Sequence, residues 1–205
     1  MLKMIKGAQV TNGDSLTQGY NIVEGMISAN VDADNIRNVF EGFLEINRNE
    51  SLFLFIEVPS RLDDETVTET FEDGGVAIET THNDVYYLDG ISAAALRELF
   101  EMFYEILVND GLSAFGVGNP YGEEVGKYKY NVMKLYSKEP EKYACIFESL
   151  GINKTDELIT AWNTFSEKTP GISEKYSDSE GRDIYDIIEI LSEEGLYKAE
   201  MRESE

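Results

Sequence analysis

Nucleophilic chemistry has one candidate pair in this chain. His82 is the only histidine and Cys145 the only cysteine, and a thiol nucleophile needs a base within hydrogen-bond reach. Cys145 follows Tyr143 and precedes Ile146 and Phe147, so it is expected as a small buried hydrophobe on an apolar helix face. His82 lies in a polar Thr-Thr-His-Asn-Asp stretch ahead of a strand, which suits a surface or turn position. No Gly-x-Ser-x-Gly elbow is present, so triad chemistry is not expected. Metal sites built on His and Cys fail on the same inventory. Among oxygen-ligand patterns, Asp32-Ala33-Asp34-Asn35 starts like a calcium loop but lacks the later glycine and glutamate. The run from Gly116 through Gly118 to Gly122 follows a strand, yet Pro120 interrupts it and no helix follows to hold a phosphate. It reads as a turn between two strands. No catalytic residue, cofactor or resident metal is therefore expected. A carboxylate-dependent or metal-assisted enzyme ranks third among the functional readings, resting only on the abundance of acids.

Charge is the strongest signal. Seventeen Lys and Arg face 40 Asp and Glu over 205 residues, a formal net charge of -23. The excess is spread along the chain, with 18 acids against 6 bases up to residue 100 and 22 against 11 beyond it. A partner whose binding surface is phosphate, such as a nucleic acid, is not expected, because binding would add anion to anion. High charge also keeps a protein soluble, and complementary charge speeds association with a basic partner by roughly 10 to 10³-fold. The densest segment carries Asp63, Asp64, Glu65, Glu69, Glu72 and Asp73 with no base after Arg61. These six carboxylates are the expected partner-binding residues, borne on an acidic interaction loop; the plainer alternative is a solvated excursion with a hairpin through 76–78.

The elements that must position them follow from periodicity. Residues 2–6 alternate like a first strand, and 20–29 fit a strand or a helix equally. Ile36, Val39, Phe40, Phe43 and Leu44 recur on one helical face, with Asp32 or Asp34 as the natural cap. The apolar run 51–58, stopped by Pro59, predicts a buried strand, and 85–88 another, closed by Asp89-Gly90. Ser92 caps a long helix carrying Leu96, Leu99, Phe100, Phe103, Ile106 and Leu107, with Gly111 as its C-terminal glycine. Strands are expected over 112–117 and 127–136, the second half-exposed with Tyr128, Tyr130 and Val132 alternating against lysines and Asn131. Pro140 starts a helix ended by Gly151, 155–165 suits another, and 183–194 a further one. The order predicts an α+β fold, a mainly antiparallel sheet covered by helices with a helical C-terminal portion. One domain spans 1–205, with 172–205 as its C-terminal helical element. The longest apolar runs fall short of the roughly 20 residues of a membrane span. The N-terminus lacks the apolar core of a signal peptide, so a cytoplasmic protein is expected.

The chain as a whole resembles the small acidic immunity proteins of bacterial polymorphic (LXG-type) toxin systems. The resemblance is carried by residues 16–30, 85–90, 110–118 and 126–131, and by Ala161-Trp162-Asn163-Thr164-Phe165 followed by Pro170-Gly171. It implies a cytosolic, non-enzymatic protein that binds a sibling toxin, often a nuclease, and blocks its active site. It carries no binding residue over. The alternative is a nucleic-acid mimic that inhibits a DNA-binding or restriction complex, with carboxylates spaced like phosphates. Either way the expected partner is a basic protein, with no direct nucleic-acid or membrane contact.

Overall fold

The computed structural model describes residues 1–205 except 12, 62–67, 70–77, 80–81, 167 and 204–205, with the backbone alone at 68–69 and 78–79. Strands β1 (Ala8–Gln9), β2 (Gly19–Val23) and β3 (Met26–Asn30) come first, followed by α1 (Ile36–Ile46) and β4 (Leu52–Pro59). Short strands β5 (Thr68–Glu69) and β6 (Ile78–Glu79) pair with each other, ahead of β7 (His82–Ile91) and α2 (Ala93–Asn109). Then come β8 (Ala114–Gly118), β9 (Glu124–Lys127), β10 (Val132–Tyr136) and α3 (Glu141–Ser149). The chain closes with β11 (Ile172–Ser173), α4 (Ile184–Glu193) and β12 (Tyr197–Glu203). Eight strands form one antiparallel sheet in the order β12-β7-β4-β8-β9-β10-β3-β2, and β1 pairs with β11 apart from it. The fold is α+β, as the alternation of elements predicts.

Pleating decides what each face carries, because successive side chains point to opposite sides. Along β4, Leu54, Ile56 and Val58 turn to the helices and are buried, whereas Phe53, Phe55 and Glu57 face the other way. The α1 stripe meets them with Val39, Phe40, Phe43 and Leu44. Phe40 stacks on Phe115 of β8 at 4.8 Å between ring centroids and meets Phe100 of α2 edge-on at 5.3 Å. Helices α1, α2, α3 and α4 thus share one core on one face of the sheet. Among the described residues, no helix is long and apolar enough to cross a membrane.

Several local expectations are corrected. Residues 2–6 form no strand: Leu2 and Ile5 are buried, and the segment is held by Leu2 N–H on the Leu16 carbonyl and Ile5 N–H on Asn131 Oδ1. Residues 20–29 lie within the β2–β3 hairpin, whose turn places Glu24 at φ 51° and Gly25 at φ 82°. Two left-handed residues give the turn whose twist matches paired strands, and glycine takes the second position without strain. The alternation over 127–136 spans two antiparallel strands, β9 and β10, joined where Tyr130 and Asn131 take φ of 57° and 63°. Residues 155–165 hold only a 3₁₀ turn at Ala161–Thr164. The helix α1 is entered through Asn35, while the Asp32 carboxylate accepts from Lys3 N–H and Asp34 pairs with the Lys3 ammonium. Cys145 is exposed, because α3 turns Tyr143, Ile146 and Phe147 inward and leaves position 145 on the solvent side. Over residues 172–203 the helix α4 is flanked by the strands β11 and β12, and β12 joins the main sheet beside β7.

The cap at Ser92 behaves as the sequence predicts, and α4 carries a second cap that sequence reading does not name. Ser92 Oγ accepts from Ala95 N–H at 3.2 Å at the start of α2. At α4, Asp183 accepts from Tyr185 N–H at 2.9 Å, Asp186 accepts from Asp183 N–H at 2.7 Å, and Lys175 Nζ donates to Asp183 at 2.6 Å. Burial alone would raise the Asp183 carboxyl, but the Lys175 ammonium and the amides it accepts from hold it below its ordinary range. Its stabilising contribution is therefore present at neutral pH and lost as pH falls through that lowered value. Asp183→Ala should lower the stability of the fold by about 1 kcal/mol, read as an earlier urea midpoint at neutral pH.

Candidate functional site

The face of the sheet away from the helices carries the candidate site. Registers along β4, β8, β9, β10 and β3 align Phe55, Gly116, Gly126, Lys134 and Ser28 in one cross-strand row on that face. A Cβ at Gly116 would collide with the Phe55 ring and the Val125 carbonyl, and one at Gly126 would lie 2.9 Å from the Tyr128 ring. The glycines thus let two aromatic rings lie down on the sheet. Beside them opens a groove of about 620 Å³ whose walls include Tyr128, Lys129, Lys134, Tyr136 and Trp162. Its far end is closed by Glu57 and Arg202, joined at 3.1 Å, with Asn83 Nδ2 donating to Glu57 at 2.9 Å.

The turn between β9 and β10 fixes the cationic wall. Left-handed backbone at two non-glycine residues is strained and persists only where the surroundings enforce it. Tyr130 is enclosed edge-on by Trp162 at 5.0 Å and Phe165 at 4.8 Å. Asn131 accepts from Ile5 N–H at 3.0 Å and donates to the Lys3 and Val31 carbonyls at 2.9 and 2.8 Å. Lys129 and Trp162 are therefore set by a rigid corner. The Lys134 ammonium sits 4.9 Å from the Tyr128 ring centroid. Burial pushes the Tyr128 hydroxyl up, with the nearby Glu124 adding to it, and burial also raises the Glu124 carboxyl against the pull of Arg202.

Lys127 departs furthest from the half-exposed strand expected around it. Its register opposite Phe115 and Met133 turns it to the helix side, where it is fully buried. The ammonium donates to the Asp110 carbonyl at 2.5 Å and the Ser113 carbonyl at 3.3 Å. Burial pulls it down to about 8. A second polar cluster lies at the other end of the sheet. The Tyr143 hydroxyl donates to Glu123 at 2.6 Å, and Asn119 Nδ2 donates to Glu123 at 3.0 Å and Asn47 at 3.1 Å. These groups are spent on each other and fix the β8–β9 connection.

The sequence-predicted partner residues Asp63, Asp64, Glu65, Glu72 and Asp73 lie outside the described residues, and Glu69 is described only by its backbone, paired to Ile78. Their point of attachment is described. β4 and β7 are neighbours, and Ser60 N–H donates to the His82 carbonyl at 2.7 Å, so the acidic segment leaves and rejoins the sheet at one place. That stem is anchored further by Ser60 Oγ on Asp84 at 2.8 Å and the Tyr185 hydroxyl on the Pro59 carbonyl at 2.6 Å. It adjoins the Glu57 end of the groove. His82 starts β7, half-buried, and Cys145 sits on α3; no hydrogen bond joins them among the described residues. Among the described residues, no group of three or more His, Cys, Asp or Glu is placed to hold a metal ion.

Sequence reading missed the groove because its residues come from segments far apart in the chain. The lysine–tyrosine alternation over 127–134 was the one signal, and it reads equally as an ordinary exposed strand. Compared with protein-family models, curated proteins and solved structures, the chain matches none.

Proposed function

We propose that this protein is a non-enzymatic binding protein that neutralises a basic protein partner, a cognate toxin domain such as a nuclease, by covering its active site. The observation that carries this reading is the acidic insertion. Residues 62–81 hold seven carboxylates and no base, and they emerge from a stem closed by the Ser60–His82 hydrogen bond. A rigid sheet thereby presents concentrated negative charge from one fixed place. The remaining surface supports the same partner. At least ten of the seventeen bases are engaged in ion pairs with the chain's own acids, which leaves the acid excess outward. Such charge steers a basic partner and suppresses anionic ones. The protein would act in the cytoplasm of the cell that makes it.

The test reverses Asp63, Asp64, Glu65, Glu69, Glu72 and Asp73 to lysine. Wild type is expected to capture a stoichiometric basic protein and inhibit its activity. The reversed variant should bind it at least about a hundredfold more weakly at low salt, with an unchanged melting curve. Equal binding by a folded variant would sink the assignment of these residues. Capture of a DNA-binding complex, displaced by duplex DNA, would replace the toxin with the nucleic-acid-mimic reading.

A further inference from the structure

We propose that the groove on the open sheet face is a binding site for a small flat organic anion, a carboxylate or phosphate carried on an aromatic or heteroaromatic ring. Volume, cations, an aromatic wall and a buried hydroxyl converge on this ligand. About 620 Å³ lies within the range that holds a small organic molecule. In a chain of net charge -23, this groove brings together Lys129 and Lys134, neither of which forms an ion pair among the described residues. Arg202 at the groove's far end, by contrast, is neutralised by Glu57 and Glu200. The groove therefore offers one cationic end and one internally compensated end. An anion gains at the first without disturbing the second.

The body of the ligand is set by the aromatic wall. Trp162 is 51% exposed although Tyr130 and Phe165 pin it edge-on. A rigid, half-open indole is a stacking surface held ready at little entropic cost. The Tyr128 ring lines the same groove, with the Lys134 ammonium over it. Ser113 adds a separate observation. It lines the groove, is 1% exposed, and its hydroxyl oxygen is buried without a hydrogen-bond partner among the described residues. A buried hydroxyl left unmatched is costly, and a ligand oxygen or ring nitrogen would satisfy it. Glu203 also lines the groove and discourages a second negative charge at that end. One anionic group per ligand fits this arrangement.

Trp162 is the only tryptophan, so its emission reports on the groove directly. Titrations of the full chain with benzoate and with adenosine monophosphate separate the carboxylate from the phosphate source, with benzyl alcohol and adenosine as uncharged counterparts. At least one anion should shift Trp162 emission saturably below about 10 mM, and its uncharged counterpart should bind about tenfold more weakly or worse. The Lys129→Gln, Lys134→Gln double variant should lose about tenfold or more in affinity for that anion, with an unchanged melting curve. Ser113→Ala offers a second variant without loss of charge and should also weaken binding. No saturable change with either anion, equal binding of anion and uncharged counterpart, or wild-type affinity in the lysine variant would each overturn the proposal. So would a groove that takes only a peptide segment of another protein.

Discussion

Gly111→Ala is expected to cost about 3 kcal/mol or more of folding stability, a large part of what a domain of this size holds in reserve. Three stretches of backbone meet at this residue. Gly7 N–H donates to the Asn109 carbonyl at 2.9 Å, Gly111 N–H to the Glu174 carbonyl at 3.0 Å, and Glu174 N–H to the Gly7 carbonyl at 2.8 Å. A methyl group on Gly111 would overlap the Gly7 carbonyl. One on Gly7 would lie 2.5 Å from Asn109 O, Glu174 O and Gly111 N. Every colliding atom is backbone, so no side chain can rotate away and the junction itself must open. The sequence suggests that Gly111 ends α2, but the helix ends through Asp110 in extended conformation. Close approach, rather than a left-handed turn, requires glycine here. Gly181→Ala is the comparison, because φ is +82° there and open space surrounds it; only the left-handed penalty of about 1–2 kcal/mol applies. Urea unfolding of both variants measures the difference, and equal losses would mean the three backbones do not meet as described.

Raising the pH should stabilise the wild-type protein relative to Lys127→Met, by about 2 kcal/mol between roughly pH 7.5 and 9.5. Burial lowers Lys127 from its ordinary 10.5 to about 8, opposed by the nearby Asp110 and aided by Lys129. Between those values the unfolded chain holds a proton that the folded chain has released, so stability rises with pH. Below about 8 both states are protonated, and the folded state bears the full cost of a charge away from water. The limit set by the two values is about 3 kcal/mol. Tyrosines act with the opposite sign at higher pH: burial, aided by the Glu148 carboxylate, raises the Tyr20 hydroxyl to about 12, so ionisation there destabilises the fold. Measuring urea midpoints of both proteins below about pH 9.5 keeps that contribution small and cancels it by subtraction. Parallel pH curves for wild type and variant would show that Lys127 keeps its ordinary affinity for protons.

Helices were legible in the sequence where a buried stripe was long. α1, α2 and α4 present apolar residues at helical spacing, and Ser92 marks the entry of α2. Shorter signals failed for physical reasons. On α3 the buried neighbours Ile146 and Phe147 make Cys145 look like a core residue, although it faces solvent. The β9–β10 turn carries Tyr130 and Asn131 instead of glycine, so a reversal of the chain looked like continuous alternation. β12 escaped notice because every residue in it is exposed and charged or polar residues dominate, the composition that protects a sheet edge from unwanted pairing. The groove was illegible for a different reason. Its lysines, tryptophan and unmatched serine converge only after three separate segments have been placed, and no local pattern encodes that convergence.

The seam between β10 and β3 joins Val132 to Asn30 and Tyr136 to Met26, strands separated by about half the chain. The hairpins on either side, β2–β3 and β9–β10, close loops of a few residues and can form within microseconds. Joining them requires closure of a loop of roughly a hundred residues, whose entropic cost must be met before the seam returns any stabilisation. The order of assembly is therefore built into the sheet. Both local hairpins are expected to form before their union, so the groove's Lys134 wall and its Ser28 neighbour should meet only after β2–β3 and β9–β10 have closed.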